Sequence, residues 1–351
     1  MIRLGIIGTG GMAHGHANEF RKIKGVALAA CCDVVAERAA AFAKQHAIPA
    51  VYSDYRKMLA KERLDAVTNV TIDAAHAKVA LAAIGRGLAI LSEKPLATTL
   101  ADARRMAQAA RKARVVNMVN FSYRNSSGLQ YAARLVRAGQ LGRLLHVESS
   151  YLQSWLVSTA WGDWRTGPAW GWRLSTRHGS AGVLGDLGCH IYDMTTLLCG
   201  DIATIDCRLK TFDKGLRGNR LGQYVLDAND SFVSTVEFKN GAIGTVHSSR
   251  WATGHANSLR VRISGDRGAI EVDLDRDGSG YRICLGRKAI NTFAWKDVKC
   301  PPTPNNYQRF IRAIRTGRSD DNDFANGAKI QAYLHYSFVS NAKGRPVAVK
   351  F

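Results

Sequence analysis

The chain of 351 residues is 46% hydrophobic and 22% charged, and its 49 lysines and arginines exceed its 28 acidic residues to give a net charge of +21. This length is more than one hydrophobic core usually serves, so two domains are expected. The sequence has no run of about 18 uninterrupted apolar residues, which excludes a membrane-spanning helix.

The N-terminus and the cysteines both indicate a cytoplasmic protein. The opening segment, Met1 to Gly5, does not resemble a signal peptide, because a glycine interrupts it at once and no small-residue cleavage site follows. The seven cysteines form no C-x-x-C pair and no cluster suited to zinc. We therefore expect reduced, mostly buried thiols and no metal site.

The basic excess is spread over the whole chain. Residues 1–125 hold 19 basic and 9 acidic residues, which leaves 30 and 19 for the remainder. There is no basic tail, no long Lys/Arg block and no zinc-finger or RNP signature. We interpret the charge as surface character and expect no nucleic-acid partner, although an anionic substrate stays compatible with it.

A strand, a glycine turn and a helix open the chain. The apolar residues 2–8 run into Gly8-Thr9-Gly10-Gly11-Met12-Ala13, and a helix is expected over 14–24. Glycines let the backbone approach the pyrophosphate of a dinucleotide, and a helix N-terminus supplies free amides and partial positive charge. This order predicts a cofactor loop from Gly8 to Met12, with Ala13 as a permitted small residue in the last position.

A second predicted strand, Val26–Cys32, ends on Asp33. The spacing is that of the carboxylate that binds adenosine ribose hydroxyls, and it would repel a 2′-phosphate. Because Val34 and Val35 offer no cation, NAD is favoured, while the nearby Arg38 leaves NADP open. The alternative is that Asp33 only caps the helix beginning near Val35.

Strands and helices alternate up to residue 121. This alternation implies parallel pairing, so residues 1–123 are predicted to form an α/β dinucleotide-binding Rossmann domain with a doubly wound sheet. The predicted helices are 34–46, 54–61, 74–86 and 100–113, and the predicted strands after the second are 50–52, 66–71, 88–92 and 115–121.

The apolar run 88–92 stops abruptly on Glu93-Lys94-Pro95. Proline disfavours helical backbone in the residue before it, so Lys94 should be extended where the strand leaves the sheet. Ligands of open parallel sheets bind at this carboxyl edge, which makes the Lys94 amine a candidate site group. The alternative is a surface lysine in a turn.

Residues 124–351 are predicted to be an α+β domain with a large, mainly antiparallel open sheet. Asn240-Gly241 and Asp266-Arg267-Gly268 are typical of hairpin turns between consecutive strands. The helical segment 305–342 is expected to pack back on the first domain. The predicted strands are 144–153, 202–212, 224–238, 242–251, 258–264 and 269–274.

A second functional stretch lies at 182–193. Its apolar residues recur at helical spacing, and Asp186, His190 and Asp193 fall at i, i+4 and i+7 beside that stripe. Three glycines weaken the helix, which suggests close approach of something large. The alternatives are a helix-stabilising Asp-His pair, or a metal site with Cys189, for which no further clustered ligand is present.

With these motifs, the chain resembles the Gfo/Idh/MocA family of dehydrogenases, which includes glucose-fructose oxidoreductase and inositol dehydrogenase. The resemblance also rests on Asn120 to Arg124, on Trp172-Arg173 and on Gly185 to His190. It departs at Thr71-Ile72-Asp73, where family members commonly carry Thr-Pro-Asn.

The resemblance implies an NAD(P)-dependent oxidoreductase that forms homo-oligomers, dimers or tetramers, through the antiparallel sheet. It implies catalytic roles for Lys94, Asp186 and His190. The expected cofactor contacts then include Thr71, His76, Glu93, Lys94, Trp172 and Arg173, and the expected substrate contacts are Lys94, Asn120, Tyr123, Arg124, Trp170, Asp186 and His190.

The chemistry of these residue types agrees with that implication. A secondary alcohol sheds hydride readily only as its oxygen becomes alkoxide-like, and His190 is the side chain best suited to accept the proton near neutral pH. Asp186 would orient the imidazole or hold a neighbouring hydroxyl. Lys94 would place positive charge on the developing oxyanion.

The sequence therefore predicts a dehydrogenase of a sugar, an inositol or a related polyol. One alternative is a glycoside-cleaving enzyme that retains NAD and oxidises the sugar transiently. Another is a non-catalytic sugar sensor on the same fold, which the presence of Lys94, Asp186 and His190 disfavours.

Overall fold

The computed structural model describes residues 1–167 and 170–351. It divides into two compact units. The first unit comprises residues 1–122 and 304–331, and the second comprises residues 123–303 and 332–351.

The first unit contains a parallel six-stranded sheet, as predicted. Its strand order, β3-β2-β1-β4-β5-β6, reverses direction between β1 and β4, which is the switch point where doubly wound sheets bind ligands. The strands are β1 (Ile2–Ile7), β2 (Val26–Cys32), β3 (Ala50–Tyr52), β4 (Ala66–Asn69), β5 (Ala89–Ser92) and β6 (Asn117–Val119).

The helices between these strands cover the sheet with their apolar sides. The first helix buries Ala13, Ala17 and Phe20 against strand residues such as Leu4 and Ile6, all with no exposed surface. The helices are α1 (Gly11–Arg21), α2 (Ala36–Gln45), α3 (Tyr55–Lys61), α4 (His76–Ile84) and α5 (Leu100–Ala113).

The second unit is built on a nine-stranded sheet in the order β16-β15-β14-β13-β7-β12-β11-β8-β17. Only β7 and β12 pair in parallel among the neighbouring strands described, so the prediction of a mainly antiparallel sheet is confirmed. The strands of this unit, of which β9 and β10 lie outside the nine-stranded sheet, are β7 (Leu144–Leu152), β8 (Ile202–Lys210), β9 (Arg220–Leu221), β10 (Tyr224–Val225), β11 (Ser231–Phe238), β12 (Ile243–Ser249), β13 (Ser258–Gly265), β14 (Gly268–Asp273), β15 (Gly280–Leu285), β16 (Lys296–Lys299) and β17 (Val347–Ala348).

The strand predicted across 224–238 is interrupted, which corrects the sequence analysis. β10 pairs with β9 in a separate hairpin, and β11 begins only at Ser231. Between them, the Asp230 carboxylate is fully buried and lies 2.6 Å from Lys214 Nζ. This buried ion pair therefore lies directly before the start of β11.

Five further α-helices lie in the described parts of the chain, residues 1–167 and 170–351. α9 packs within the first unit, where Tyr307 and Phe310 contact Phe20 with ring centroids 5.2 and 6.3 Å apart. None of the helices described is long and apolar enough to span a bilayer. The helices are α6 (Ser127–Arg137), α7 (Cys189–Cys199), α8 (Arg287–Asn291), α9 (Asn306–Thr316) and α10 (Phe324–Lys343).

The helix predicted from residue 182 is irregular at its start. Leu184–Gly188 form a π-turn that continues into α7, so Asp186 is not in the regular α-helix assumed for its spacing to His190. The glycines there serve internal packing, since a Cβ at Gly182 would lie 2.3 Å from the Asn229 side chain and one at Gly185 would lie 2.3 Å from Ala181 Cβ. This corrects the expectation that something large approaches them.

The turn after β1 allows a direct test of the cofactor-loop backbone. Gly8 has φ +90, and an added Cβ would lie 2.4 Å from the Val70 carbonyl oxygen. We expect Gly8→Ala to lower the free energy of unfolding in urea by about 1–3 kcal/mol, because both the dihedral angle and the space exclude a side chain.

Gly15 provides the matched control. It is exposed inside α1, and a Cβ there would meet nothing within 4 Å. Gly15→Ala should therefore raise the free energy of unfolding by roughly 0.5–1 kcal/mol. A Gly8→Ala protein as stable as the wild type would contradict the structure of this turn.

Candidate active site

The glycine loop after β1 presents an open face at the N-terminus of α1. A Cβ added to Gly10 or Gly11 would meet nothing within 4 Å, and Met12 is 61% exposed. Gly10 is the N-cap of α1 and provides no side-chain cap, so the first amides of the helix keep no side-chain partner from that residue. This open cradle of backbone amides fits the pyrophosphate of a dinucleotide.

Asp33 lies beside this loop at the end of β2. Its carboxylate accepts hydrogen bonds from the Thr9 amide at 2.8 Å and from Arg38 Nη2 at 2.7 Å. Burial raises the pKa of Asp33, but the hydrogen bonds from Arg38, Val35 and Thr9 outweigh burial and lower the pKa to about 2. An ionised carboxylate here fits the ribose hydroxyls of NAD. Asp33 Oδ1 also accepts a hydrogen bond from the amide of Val35, the N-cap residue of α2, at 3.0 Å, so the same carboxylate stabilises the start of this helix as the alternative predicted.

The buried carboxylate of Glu93 holds the segment that follows β5. Glu93 Oε1 lies 2.8 Å from His16 Nε2 and accepts a hydrogen bond from Asn120 Nδ2 at 2.6 Å. Burial raises the pKa of Glu93, but hydrogen bonding to His16 and Asn120 and the nearby Lys94 charge lower it to about 2. The half-buried Lys94 follows directly and donates its backbone amide to Glu93 Oε2 at 3.2 Å.

Asn120 is committed to this cluster. Its side chain is buried, and its Oδ1 accepts a hydrogen bond from Asn306 Nδ2 at 3.1 Å. This placement favours a structural role over the substrate contact predicted from the sequence. His16, which also lies 2.7 Å from Thr68 Oγ1, was missed by the sequence analysis because a helical histidine carries no signal of a buried partner 77 residues away.

His76 links the segments that follow β4 and β5. Its Nδ1 lies 2.8 Å from the Pro95 carbonyl oxygen, and its Nε2 lies 3.1 Å from the Thr71 carbonyl oxygen. Thr71 Oγ1 in turn donates to Asn69 Oδ1 at 2.8 Å. These contacts hold together the two loops that follow the carboxyl ends of β4 and β5.

In the second unit, His190 is buried on α7 beside two tyrosines. The Tyr123 ring meets the imidazole edge-on with centroids 4.8 Å apart, and the Tyr151 ring lies at 6.3 Å. The two tyrosine hydroxyls are 2.6 Å apart. The imidazole therefore packs against the rings of Tyr123 and Tyr151, which restrict its rotation.

A closed set of hydrogen bonds holds these two tyrosine side chains in place. Tyr151 donates its hydroxyl to Asn257 Oδ1 at 2.7 Å, and Asn257 Nδ2 donates to the Tyr123 hydroxyl at 2.8 Å. Gln153 Nε2 donates to Asn257 Oδ1 at 2.8 Å. Since Tyr151 has one proton, Tyr123 is the donor between the two hydroxyls. Burial raises the pKa of Tyr151, so it stays a neutral donor.

Three of these residues, Tyr151, Gln153 and Asn257, were missed by the sequence analysis. Tyr151 is near the end of β7, and Gln153 follows the last residue of the strand two positions later. This spacing of two buried polar or aromatic residues is the signal that could have identified Tyr151 and Gln153, whereas Asn257 carried no such signal.

Asp186 and Arg124 each form a close ion pair. Asp186 Oδ2 accepts from Arg250 Nη2 at 2.9 Å, and its side chain is 37% exposed. Arg124 donates through Nε and Nη2 to the Asp193 carboxylate at 2.7 and 2.6 Å, and both side chains are buried. Because Asp193 occupies its guanidinium, the placement of Arg124 favours anchoring of α7 over the substrate contact predicted from the sequence.

The two predicted site tryptophans, Trp170 and Trp172, have different surroundings in an aromatic segment that also contains Trp155, Trp164 and Arg173. Trp170 stacks on Trp155 with ring centroids 5.0 Å apart and packs against a small apolar cluster. Trp172 is 39% exposed, and the Arg173 guanidinium lies 4.5 Å from its ring centroid. One face of Trp170 is thus occupied, and Trp172 is the more accessible ring of the two.

Comparison with known proteins decides the family. Residues 2–121 match the model of the GFO/IDH/MocA oxidoreductase family with its NAD-binding Rossmann fold, and residues 129–271 match the GFO/IDH/MocA C-terminal domain. The chain belongs to the GFO/IDH/MocA family. The resemblance inferred from the motifs is therefore confirmed, and so is NAD as the cofactor of the first unit.

Relatives with established names cover most of the chain. Levoglucosan dehydrogenase from Pseudarthrobacter phenanthrenivorans is 27% identical over 300 residues, 78% of this chain and 74% of that protein. D-apiose dehydrogenase from Paraburkholderia graminis is 26% identical over 353 residues, 98% of this chain and 89% of that protein. A solved levoglucosan dehydrogenase, in complex with NADH and levoglucosan, matches 100% of both chains with a TM-score of 0.87 and 24% identity, a likeness of fold.

The buried Glu93 predicts a pH-dependent stability. Because its pKa is lowered in the folded state, its contribution is complete above the ordinary value of 4.5 and is lost as the pH falls towards about 2. Glu93→Gln should lower the free energy of unfolding by roughly 1–3 kcal/mol near neutral pH, and the deficit should shrink in acid. The measurement is urea unfolding across that pH range.

Glu37→Gln is the control, since Glu37 is exposed in the first turn of α2. It should leave stability nearly unchanged at every pH. A Glu93→Gln deficit that stays constant down to acid pH would show that the charge of Glu93 is not what stabilises this cluster.

Asp33 and Arg38 predict cofactor preference. Asp33→Ser should weaken NADH binding roughly tenfold or more by removing the carboxylate, and it should strengthen NADPH binding by releasing Arg38. Adding Arg38→Ala should remove the NADPH gain. Nicotinamide fluorescence titrations check both effects, and unchanged NADH affinity in Asp33→Ser would refute the ribose contact.

Proposed function

We propose that this protein is an NAD-dependent dehydrogenase that transfers a hydride between nicotinamide and a secondary alcohol or carbonyl carbon of a sugar, an inositol or a related polyol. The observation that carries the proposal is an NAD-binding family match on one unit, together with an ordered histidine, His190, on the other. The names of the relatives, levoglucosan dehydrogenase and D-apiose dehydrogenase, support a carbohydrate substrate.

His190 is the proposed general base in the oxidative direction. It takes the proton of the reacting hydroxyl, which lets negative charge build on the oxygen. The edge-on ring of Tyr123 restricts the imidazole to one orientation, and the hydrogen bonds from Asn257 and to Tyr151 hold Tyr123 in place. In the reductive direction, His190 returns the proton to the carbonyl oxygen.

Lys94 is the proposed electrostatic partner of the same oxygen. Its ammonium stabilises the developing alkoxide, as a fixed positive charge does in a water-poor site. Glu93 supports this role, since its buried carboxylate accepts the Lys94 backbone amide and so fixes the residue where the strand ends. Asp186 is proposed to accept a hydrogen bond from a neighbouring substrate hydroxyl.

The bound NAD supplies the hydride acceptor. We propose that the amides from Gly8 to Met12 bind its pyrophosphate and that Asp33 binds the adenosine ribose. The remaining proposed cofactor contacts are Thr71, His76, Glu93, Lys94, Trp172 and Arg173. For the substrate, the exposed ring of Trp172 best suits a sugar face, and Tyr123 is proposed to contact the substrate beside His190.

We also propose that the protein is a cytoplasmic homo-oligomer, a dimer or tetramer that associates through the nine-stranded sheet. Val233 on β11 and Ile243 on β12 are 55% and 56% exposed on the same face of that sheet. Sedimentation analysis of the wild type and of Val233→Glu tests this: the substitution should lower the mass of the assembly.

The test of the activity is a screen of sugars and polyols for NADH formation, first with NAD and then with NADP. Steady release of NADH by at least one compound is the expected result. Cleavage of a glycoside without free NADH would instead identify the enzyme as one that retains its cofactor. No reaction with any sugar, inositol or polyol would refute the proposed function.

Lys94→Met and His190→Asn should each lower kcat/KM by roughly 10²–10⁴-fold while NADH still binds, because both groups act on the reacting oxygen. Lys78→Met is the control, since Lys78 is exposed on α4. Full turnover by either site variant would remove that residue from the mechanism.

A further inference from the structure

A buried arginine lies directly beneath the candidate Asp186. Arg250 follows β12 and has no exposed surface. Its guanidinium donates to Asp186 Oδ2 at 2.9 Å and to the Arg173 carbonyl oxygen at 3.2 Å, and it lies 5.0 Å from the centroid of the Trp155 ring. One side chain thus contacts the π-turn and the aromatic segment.

A cation in this position requires a nearby anion. Burial lowers the pKa of Arg250, and Asp186 opposes that effect by its charge and its hydrogen bond. Asp230 is also near, but its carboxylate pairs at 2.6 Å with Lys214, which is equally buried. Among the residues described, Asp186 is therefore the carboxylate that hydrogen-bonds to Arg250, and the charge of Asp230 adds a smaller stabilisation from a greater distance.

The pairing fixes how Asp186 is presented. Arg250 is almost wholly enclosed, whereas the Asp186 side chain keeps more than a third of its surface exposed. The carboxylate is thus held from the inside while its outer part faces away from the core. A cation at this distance favours the charged form of a carboxyl group, which accepts hydrogen bonds and cannot donate one.

We propose that Arg250 is a positioning residue that holds Asp186 as an ionised hydrogen-bond acceptor for a substrate hydroxyl next to the oxidised carbon. The proposal rests on the proposed function and narrows its substrate class to compounds with vicinal hydroxyls. His190 alone then exchanges the proton of the reacting hydroxyl, and Arg250 touches neither substrate nor cofactor.

The kinetic test compares Arg250→Lys with Arg250→Met on the substrate that the screen identifies. Among the described residues, Tyr151 interacts electrostatically with Asp186, the Cys189 thiol donates to the Asp186 carbonyl oxygen at 3.4 Å, and His190 follows four residues later on α7. With Met, kcat/KM should fall roughly 10- to 100-fold, and the acidic limb of its pH profile should move towards neutral pH because the groups that must be unprotonated, His190 and Asp186, lose a nearby cation. The Arg250→Lys variant should recover much of the wild-type kcat/KM, and the acidic limb of its pH profile should lie close to that of the wild type.

The control is Arg309→Met, which removes a buried arginine that pairs with Asp320 in the first unit. Its acidic limb should stay in place whatever its rate, and NADH binding shows that each variant is folded. The proposal would be overturned if the acidic limb of the kcat/KM profile stayed in place in Arg250→Met, or if it moved by the same amount in Arg309→Met. An analogue lacking the neighbouring hydroxyl should lose less from Arg250→Met than the full substrate.

A second test needs no substrate, so it remains decisive if the proposed function fails. Asp186→Asn leaves the Arg250 cation buried without its anion and should lower the urea unfolding midpoint. Adding Arg250→Met to that variant should raise the midpoint again. If the two substitutions lower the midpoint independently, Arg250 does not hold Asp186 and the proposal is wrong. Absence of NADH formation by the wild type would refute only the dehydrogenase activity.

Discussion

Pairing of buried charges is the constraint on which the candidate site depends. Each unit places a desolvated ion directly behind a proposed catalytic residue: Glu93 next to Lys94 in the first, and Arg250 next to Asp186 in the second. An unpaired charge in the interior would cost several kcal/mol, so each ion fixes its partners as firmly as the core does. Because each buried charge requires its partner, the pairing keeps the adjacent site residue in a defined position.

Much of the fold could be predicted because its signals are local. The strand Val26–Cys32 and the helix Leu100–Ala113 were predicted with the bounds that the structure has, since a continuous apolar run marks the strand and helical spacing with a Thr99 N-cap marks the helix. β16 was missed because it is a partly exposed edge strand with three charged residues, and its neighbour β15 was missed because buried and exposed residues do not alternate along it. The π-turn at Leu184–Gly188 was missed because hydrophobic spacing does not distinguish it from α-helix.

Candidate site residues could be proposed from the sequence where a suitable residue type stands at a local structural signal, such as a strand end or a glycine turn. Lys94 was identified from the strand end and the proline that follows, and Asp33 from its distance to the glycine turn. Asn120 and Arg124 were less tractable, because their partners Glu93 and Asp193 lie 27 and 69 residues away in the chain. Only folding shows that those side chains are already used, and the same holds for the ordered tyrosines beside His190.

The central claim is that hydride passes between a sugar or polyol carbon and the nicotinamide. The most direct measurement is mass spectrometry of the NADH formed from NAD and a polyol or sugar that is deuterated at its carbons. The account predicts NADH that carries one deuterium on the nicotinamide ring. Unlabelled NADH, or a substrate consumed with its carbon-bound deuterium intact, would contradict it.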